Sequence, residues 1–199
     1  MKFINKILIL SILALTYNIV FGQSQKICVN THGWTEEEKK GYDLPEDSPM
    51  EVYGCKKKWG CEEVTYKGEL IVPNKIEFLG KMYDVYGISM HGFEKNPEIT
   101  SVVIQEGIWN IESYAFHSCT SLISITFPST LSYLGSYVIG ECNNVENIYM
   151  KSLEPPKRSS RLIFKIPENC TLYVPKGSLE LYKSHSEWNI FKKMVEIEY

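Results

Sequence analysis

Residues 113–142 read SYAFHSCTSLISITFPSTLSYLGSYVIGEC, and the second half of the stretch restates the first. Set beside its flanking residues, it falls into columns spaced 23 residues apart. Ile88, Ile111 and Leu134 form one column, and Phe93, Phe116 and Ile139 another. Ile99, Leu122 and Val145 follow, then Val102, Ile125 and Ile148, then Ile104, Phe127 and Met150. Five apolar columns in register across three copies mark a stacked repeat, in which each unit needs its neighbours to bury its apolar face.

Each copy has the same internal order. A short apolar alternation, SVVIQ (101–105), SITFP (124–128) or NIYMK (147–151), predicts a strand. Side chains alternate across a strand, so Val102 and Ile104, Ile125 and Phe127, and Ile148 and Met150 face the core. The segments between, such as IESYAFHSCTSL (111–122), are too short for a full helix and predict a helical turn. The expected fold is a repeat solenoid of β-rich coils whose parallel strands stack at ~4.8 Å.

The ends differ from the middle. IEFL (76–79), Gly80-Lys81 and MYDV (82–85) predict a β-hairpin that caps the N-terminal side. At the other end TLYVP (171–175) repeats SITFP with one residue of drift, and leads into a short helix over 177–185 and a last strand around 194–197. Both sheet edges are expected to be covered, which blocks edge-to-edge pairing. Ahead of these, Lys2 and Lys6 flank the start of the nine-residue apolar run Ile7–Leu15, and Val20 and Gly22 suit a cleavage site. Residues 1–22 therefore read as a secretory signal peptide, with a run too short to span a bilayer. The mature chain is expected to start at Gln23, without a lipid-bearing Cys behind the cleavage site and without a later membrane span. The resulting division is 1–22 signal peptide, 23–62 irregular, 63–87 capping hairpin, 88–155 repeats, and 156–199 degenerate last repeat and cap.

The repeat resembles the BspA-like leucine-rich repeats of bacterial secreted and surface proteins. The resemblance rests on Tyr114-Ala115-Phe116, Cys119-Thr120-Ser121-Leu122, Ile125-Thr126-Phe127-Pro128 and Leu134-Gly135. The lead-in GKMYDVYGISMHGF and the closing segment TLYVPKGSLELYKSHSEWNIFKKMVEI are similar to that family as well. The third copy departs from it, with Val138-Ile139 for the usual Ala-Phe. The resemblance covers roughly residues 63–199 and implies right-handed leucine-rich-repeat coils, secretion or surface display, and binding to other macromolecules. It implies no catalytic residues, and a solenoid scaffold hosts many partners on one backbone.

Composition narrows the classes further. Formal charge is −3, with 21 Lys and Arg against 24 Asp and Glu, and the longest cationic run, Lys56-Lys57-Lys58, is followed by Glu62-Glu63. That distribution lacks the basic face a nucleic-acid partner needs. No hydrolase motif, metalloprotease motif or phosphate-cradling glycine loop is present, so no catalytic residue and no cofactor is expected. No His stands at ligand spacing with a carboxylate. His91 shares a column with Tyr114 and Tyr137 and is expected to stack with them; His117 follows the core Phe116 and is expected to face outward.

Export permits disulfides among Cys28, Cys55, Cys61, Cys119, Cys142 and Cys170. Cys119 and Cys142 share a column with Asn96, and parallel side chains on neighbouring coils favour buried thiols there. Cys55 and Cys61 flank a five-residue loop containing Gly60 and are a candidate disulfide, with free thiols as the alternative. Zinc held by Cys28, Cys55 and Cys61 would need a spacing that matches no common site, so no metal site is assigned.

The outward strand positions line up in rows and form the expected binding face. One row is Val103, Thr126, Tyr149 and Tyr173; a second is Ser101, Ser124, Asn147 and Thr171; a third is Gln105, Pro128, Lys151 and Pro175. Val103, Thr126, Tyr149, Tyr173, Ser124, Asn147 and Lys151 are its candidate contact residues. Tyr beside small hydroxyl residues suits recognition surfaces, although exposed strand positions favour Thr and Tyr in any case. Trp59 and Trp109 are further exposed aromatics, while Trp188 is expected in the C-terminal cap. The expected function is an exported, non-enzymatic binding or adhesion module for an extracellular or surface protein. The alternatives are glycan binding, served by the exposed Tyr and Trp, and self-assembly into a structural surface component.

Overall fold

Every residue of the five apolar columns is buried, and Ile139 is the most exposed of them at 6%. The structure is a computed structural model describing residues 27–30, 50–54, 66–78, 81–158 and 167–199. The expected signal peptide, Cys55, Cys61, Trp59 and His32 lie outside the described residues.

The strands are β1 (Ile27–Asn30), β2 (Met50–Gly54), β3 (Gly68–Val72), β4 (Lys75–Phe78), β5 (Lys81–Ile88), β6 (Ile99–Ile104) and β7 (Asn110–Ile111). They continue with β8 (Ser124–Phe127), β9 (Tyr133–Leu134), β10 (Asn147–Met150), β11 (Lys157–Arg158) and β12 (Thr171–Pro175). A short helix α1 (Leu179–Ser184) and β13 (Lys193–Ile197) close the described chain. One sheet is wholly parallel in the order β13-β12-β10-β8-β6-β3. In it Ile125 pairs with Val102 and Ile148, as the period of 23 requires. Ile148 pairs with Leu172, 24 residues on, which is the one-residue drift.

A second sheet, β1-β2-β5-β7-β9-β11, faces the first across the core. The column Ile88, Ile111 and Leu134 lies on it, at the end of β5 and on the two-residue strands β7 and β9, paired in register. Residues 23–62, expected to be irregular, thus contain β1 and β2, which pair antiparallel. Val52 of β2 then pairs with Ile88, so β2 and β1 extend the second sheet.

The expected hairpin exists, with β4 and β5 antiparallel and Ile76 opposite Tyr83. It does not cap the first sheet, because β3 precedes it and already pairs in parallel with β6. Among the described residues the outermost strands of that sheet are β3 and β13. β13 carries the charged residues Lys193 and Glu196, which discourage edge-to-edge pairing.

The segments between strands are not helical turns. Each coil bends through two left-handed residues four apart: His91 and Lys95, Tyr114 and Ser118, Tyr137 and Glu141, all with φ between 56° and 62°. Left-handed backbone costs an L-residue ~1–2 kcal/mol. Hydrogen bonds between coils offset it: Tyr114, Phe116 and Ser118 N–H groups donate to Ser136, Val138 and Gly140 carbonyls at 2.8–2.9 Å. The bend is therefore laddered coil to coil, as the strands are.

Inside, Phe93 and Phe116 stack with centroids 5.4 Å apart, and Tyr66 closes the stack edge-on at 5.5 Å. At the far end Trp188 is buried as expected and packs against Tyr182 and Phe191. The Tyr182 hydroxyl donates to the Ser152 carbonyl at 2.9 Å, tying α1 to the last coil.

Candidate functional site

Parallel register converts the outward positions of the first sheet into a continuous row. Val103, Thr126, Tyr149 and Tyr173 are consecutive register partners, extended by Ile71 on one side and Val195 on the other. All four expected members are half-buried, as are Ser124, Asn147 and Lys151. Tyr149 and Tyr173 stack with centroids 4.6 Å apart and planes at 12°. Their faces are turned toward each other, so the pair offers ring edges and phenol oxygens to solvent. That geometry suits hydrogen bonding and edge contacts better than a sugar ring laid flat on an open aromatic face.

Two of the expected rows are narrower than the sequence suggests. Thr171 is buried at 3% exposure, flanked in register by Asn147 and Lys193. Pro128 and Pro175 are buried because the strands end there and the alternation of faces ends with them. Turn contacts cover the second of these, with Ser178 Oγ donating to the Pro175 carbonyl at 2.6 Å.

The structure adds residues the rows did not contain. Tyr199 crosses back over the sheet and donates its hydroxyl to the Met150 carbonyl at 3.1 Å. Burial, then the neighbouring Tyr149, pushes its phenol up to about 12. Lys151 Nζ lies 5.8 Å from the Tyr199 ring centre and 3.9 Å from Glu106 Oε1. Glu106 in turn accepts from the N–H and hydroxyl of Ser129 at 2.9 and 2.7 Å. Nothing in the repeat pattern marks Tyr199, which lies beyond the last strand.

Away from the strand face, His91, Tyr114 and Tyr137 stack as expected, at 5.0 and 5.2 Å. His117, expected to face outward, is half-buried and sits edge-on to Tyr114 at 5.3 Å. Glu94 lies 3.1 Å from His91 Nδ1 and 3.7 Å from His117 Nδ1, so stacking unites a carboxylate and two imidazoles that sequence spacing kept separate. No group of His, Cys, Asp or Glu among the described residues has the geometry to hold a metal ion. Trp109 is 46% exposed and stacks on Tyr86 at 5.3 Å.

Cys119, Cys142 and Cys170 are buried free thiols. Cys119 Sγ donates to the Phe93 carbonyl at 3.3 Å and Cys142 Sγ to that of Phe116 at 3.2 Å, the same contact repeated one coil on. The parallel projection explains why the pair stays unbridged.

A core enclosed by short parallel strands and compact laddered turns, with one strand face exposed, defines a leucine-rich-repeat solenoid. The BspA type leucine rich repeat region matches residues 84–185 in six copies, and the chain belongs to that family. No curated protein matches the sequence. Among solved structures it is similar to a leucine-rich repeat protein from Bacteroides ovatus, at 16% identity and a TM-score of 0.49, covering 91% of this chain and 41% of that one. It is also similar to the pneumococcal vaccine antigen PcpA, at 16% identity and a TM-score of 0.35, over 66% of this chain and 42% of that one. A third is a leucine rich cell surface protein from Faecalibacterium prausnitzii, at 12% identity and a TM-score of 0.25, over 92% of this chain and 55% of that one. The chain thus spans less than half the length of the first two. No helix among the described residues is long and apolar enough to cross a membrane.

Proposed function

We propose that the chain is an exported, non-enzymatic binding module that engages a protein at the cell surface or outside the cell through its strand face. The observation that carries this reading is the registered row Val103, Thr126, Tyr149 and Tyr173, bordered by Ser124, Asn147 and Lys151. Stacked Tyr side chains held by a rigid sheet lose little conformational entropy on binding, and small hydroxyl and amide groups beside them adapt to a partner's polar atoms. Membership of the leucine-rich-repeat family supports an interaction role. The expected signal peptide supports export.

Binding of the purified chain to arrays of extracellular-matrix and bacterial surface proteins tests this directly. At least one protein should be captured by the chain and lost with Tyr149→Ala/Tyr173→Ala. Leu153→Ala, which truncates a 63% exposed side chain beyond β10, should leave capture unchanged. Capture that survives the Tyr double variant would move the site off the strand face.

A further inference from the structure

Where the strands of the first sheet begin, the surface dips into a groove of about 700 Å³. Thr100, Ile123, Asn147, Thr171 and Lys193 line it, one from each of five successive coils. Four steps of ~4.8 Å make the groove about 19 Å long, which leaves a mean cross-section of about 37 Å². One strand in a stacked pair of sheets occupies about 4.8 by about 10 Å, a similar area. The groove thus has room for one extended chain lying along the solenoid axis.

Its lining points to the chemistry of that chain. Asn143, Asn147 and Asn169 converge on the groove. Among the described residues none of these three side-chain amides makes a hydrogen bond. By contrast Asn74, Asn96, Asn110 and Asn144 each commit Nδ2 to a protein oxygen at 2.7–3.0 Å. A free side-chain amide offers two donors and an acceptor, which matches the mixed donor and acceptor character of a hydroxyl. The charges along the groove, Glu146 and Lys193, cancel, so neither an anionic nor a cationic chain is favoured. A drug-like ligand would want a mostly hydrophobic pocket, and a protein anchor a desolvated aromatic or aliphatic one. This groove is mostly polar: its accessible apolar lining is Ile123, 43% exposed, with the half-buried Tyr173 and Pro167, none of them a desolvated anchor pocket.

We infer that the groove binds a short, linear, neutral oligosaccharide, whose hydroxyls pair with the amides of Asn143, Asn147 and Asn169 while Ile123 covers the C–H face of one sugar. The groove shares Asn147 and Tyr173 with the strand face, but Asn143 and Asn169 lie outside the outward rows, so their amides test the groove separately from the protein-binding reading.

The test uses the isotope-labelled full chain and follows side-chain amide signals by NMR. The probes are linear gluco-, manno-, xylo- and galacto-oligosaccharides, with a neutral Gly-Ser peptide as a parallel arm. At least one oligosaccharide should move the Asn143, Asn147 and Asn169 pairs and leave that of the buried Asn96 in place, which also reports folding. Asn143→Ala/Asn169→Ala should weaken that binding by about tenfold or more, as expected for the loss of several neutral hydrogen bonds. The inference is overturned if no oligosaccharide moves the three pairs, if only the peptide does, or if the double variant binds as tightly as the parent. Tyr173 also lines the groove, so the two readings are separated by Asn143→Ala/Asn169→Ala, which leaves Tyr149 and Tyr173 in place and should leave protein capture unchanged.

Discussion

Gly135 lies so close to Ser113 on the preceding coil that a Cβ built on it would sit 2.3 Å from the Ser113 nitrogen. Its own N–H donates to the Ile111 carbonyl at 2.7 Å, so the two coils are drawn together at this point. The neighbour is backbone and cannot move aside without parting the coils. Gly135→Ala should therefore cost at least the upper end of the ~1–3 kcal/mol typical of overpacking. Gly140→Ala meets the His117 ring edge at 2.7 Å instead, a side chain that can turn away, and should cost only about 1 kcal/mol. Guanidinium unfolding midpoints of the two variants check the order, and equal midpoints would refute the close approach.

Phe116 and Tyr149 separate core from face. Phe116 is fully buried and stacks on Phe93, so Phe116→Ala opens a cavity and should cost ~3–5 kcal/mol. Tyr149 is half-exposed, and Tyr149→Ala loses chiefly its stacking on Tyr173, worth ~0.5–1.5 kcal/mol. Thermal melts followed by circular dichroism should show a large drop for the first variant and a small one for the second. Matching melts would mean that the register of the repeat is wrong.

Lys95 tests the left-handed turns. Its φ is 59°, its side chain is 73% exposed, and its backbone N–H donates to the His117 carbonyl at 2.8 Å. The ion pair with Glu94 at 3.6 Å contributes little at a site so exposed. Lys95→Gly removes the left-handed penalty but adds chain entropy to the unfolded state, so it should stabilise by up to about 1 kcal/mol. Lys95→Val places a β-branched residue at positive φ and should destabilise by about 2 kcal/mol. Denaturant titrations of the pair would show opposite shifts; shifts of the same sign would argue against the turn geometry.

Much of this architecture was legible in the sequence because packing acts there at a fixed period. The columns through Phe93 and Val102 recur since each coil covers the next, and that requirement also put Tyr149 and Tyr173 in one row. The second sheet was not legible, because strands as short as Asn110–Ile111 and Tyr133–Leu134 have no room for an alternation of period two. The left-handed bends were hidden because Tyr114 and Ser118 occupy them without the glycine that usually signals such backbone. Of the groove, Asn147 appeared in a row, whereas Asn143 and Asn169 sit in turns, where Asn is common and gives no sign that its amide is uncommitted.

Alkaline pH should unfold the protein ahead of the loss expected for a chain with ordinary thiols and phenols. Burial pushes the Cys170 thiol from 9.0 up to about 11. The contact with Cys119, then burial, pushes Cys142 up, and burial pushes the Tyr182 phenol up. Each group is neutral in the folded chain at a pH where the unfolded chain has begun to ionise, so the folded state holds more protons there. The contribution is complete below the unfolded value, near 9.0 for a thiol, and for Cys170 is lost as pH rises through about 11. Stability from urea titrations should be flat with respect to these groups at neutral pH and fall steadily across that window. Cys170→Ala lowers stability at every pH by opening a small cavity, but it should flatten the slope in the window. An unchanged slope would show that Cys170 reaches solvent, and with it that the last coil is less tightly closed than Leu172, Val174 and Tyr182 make it.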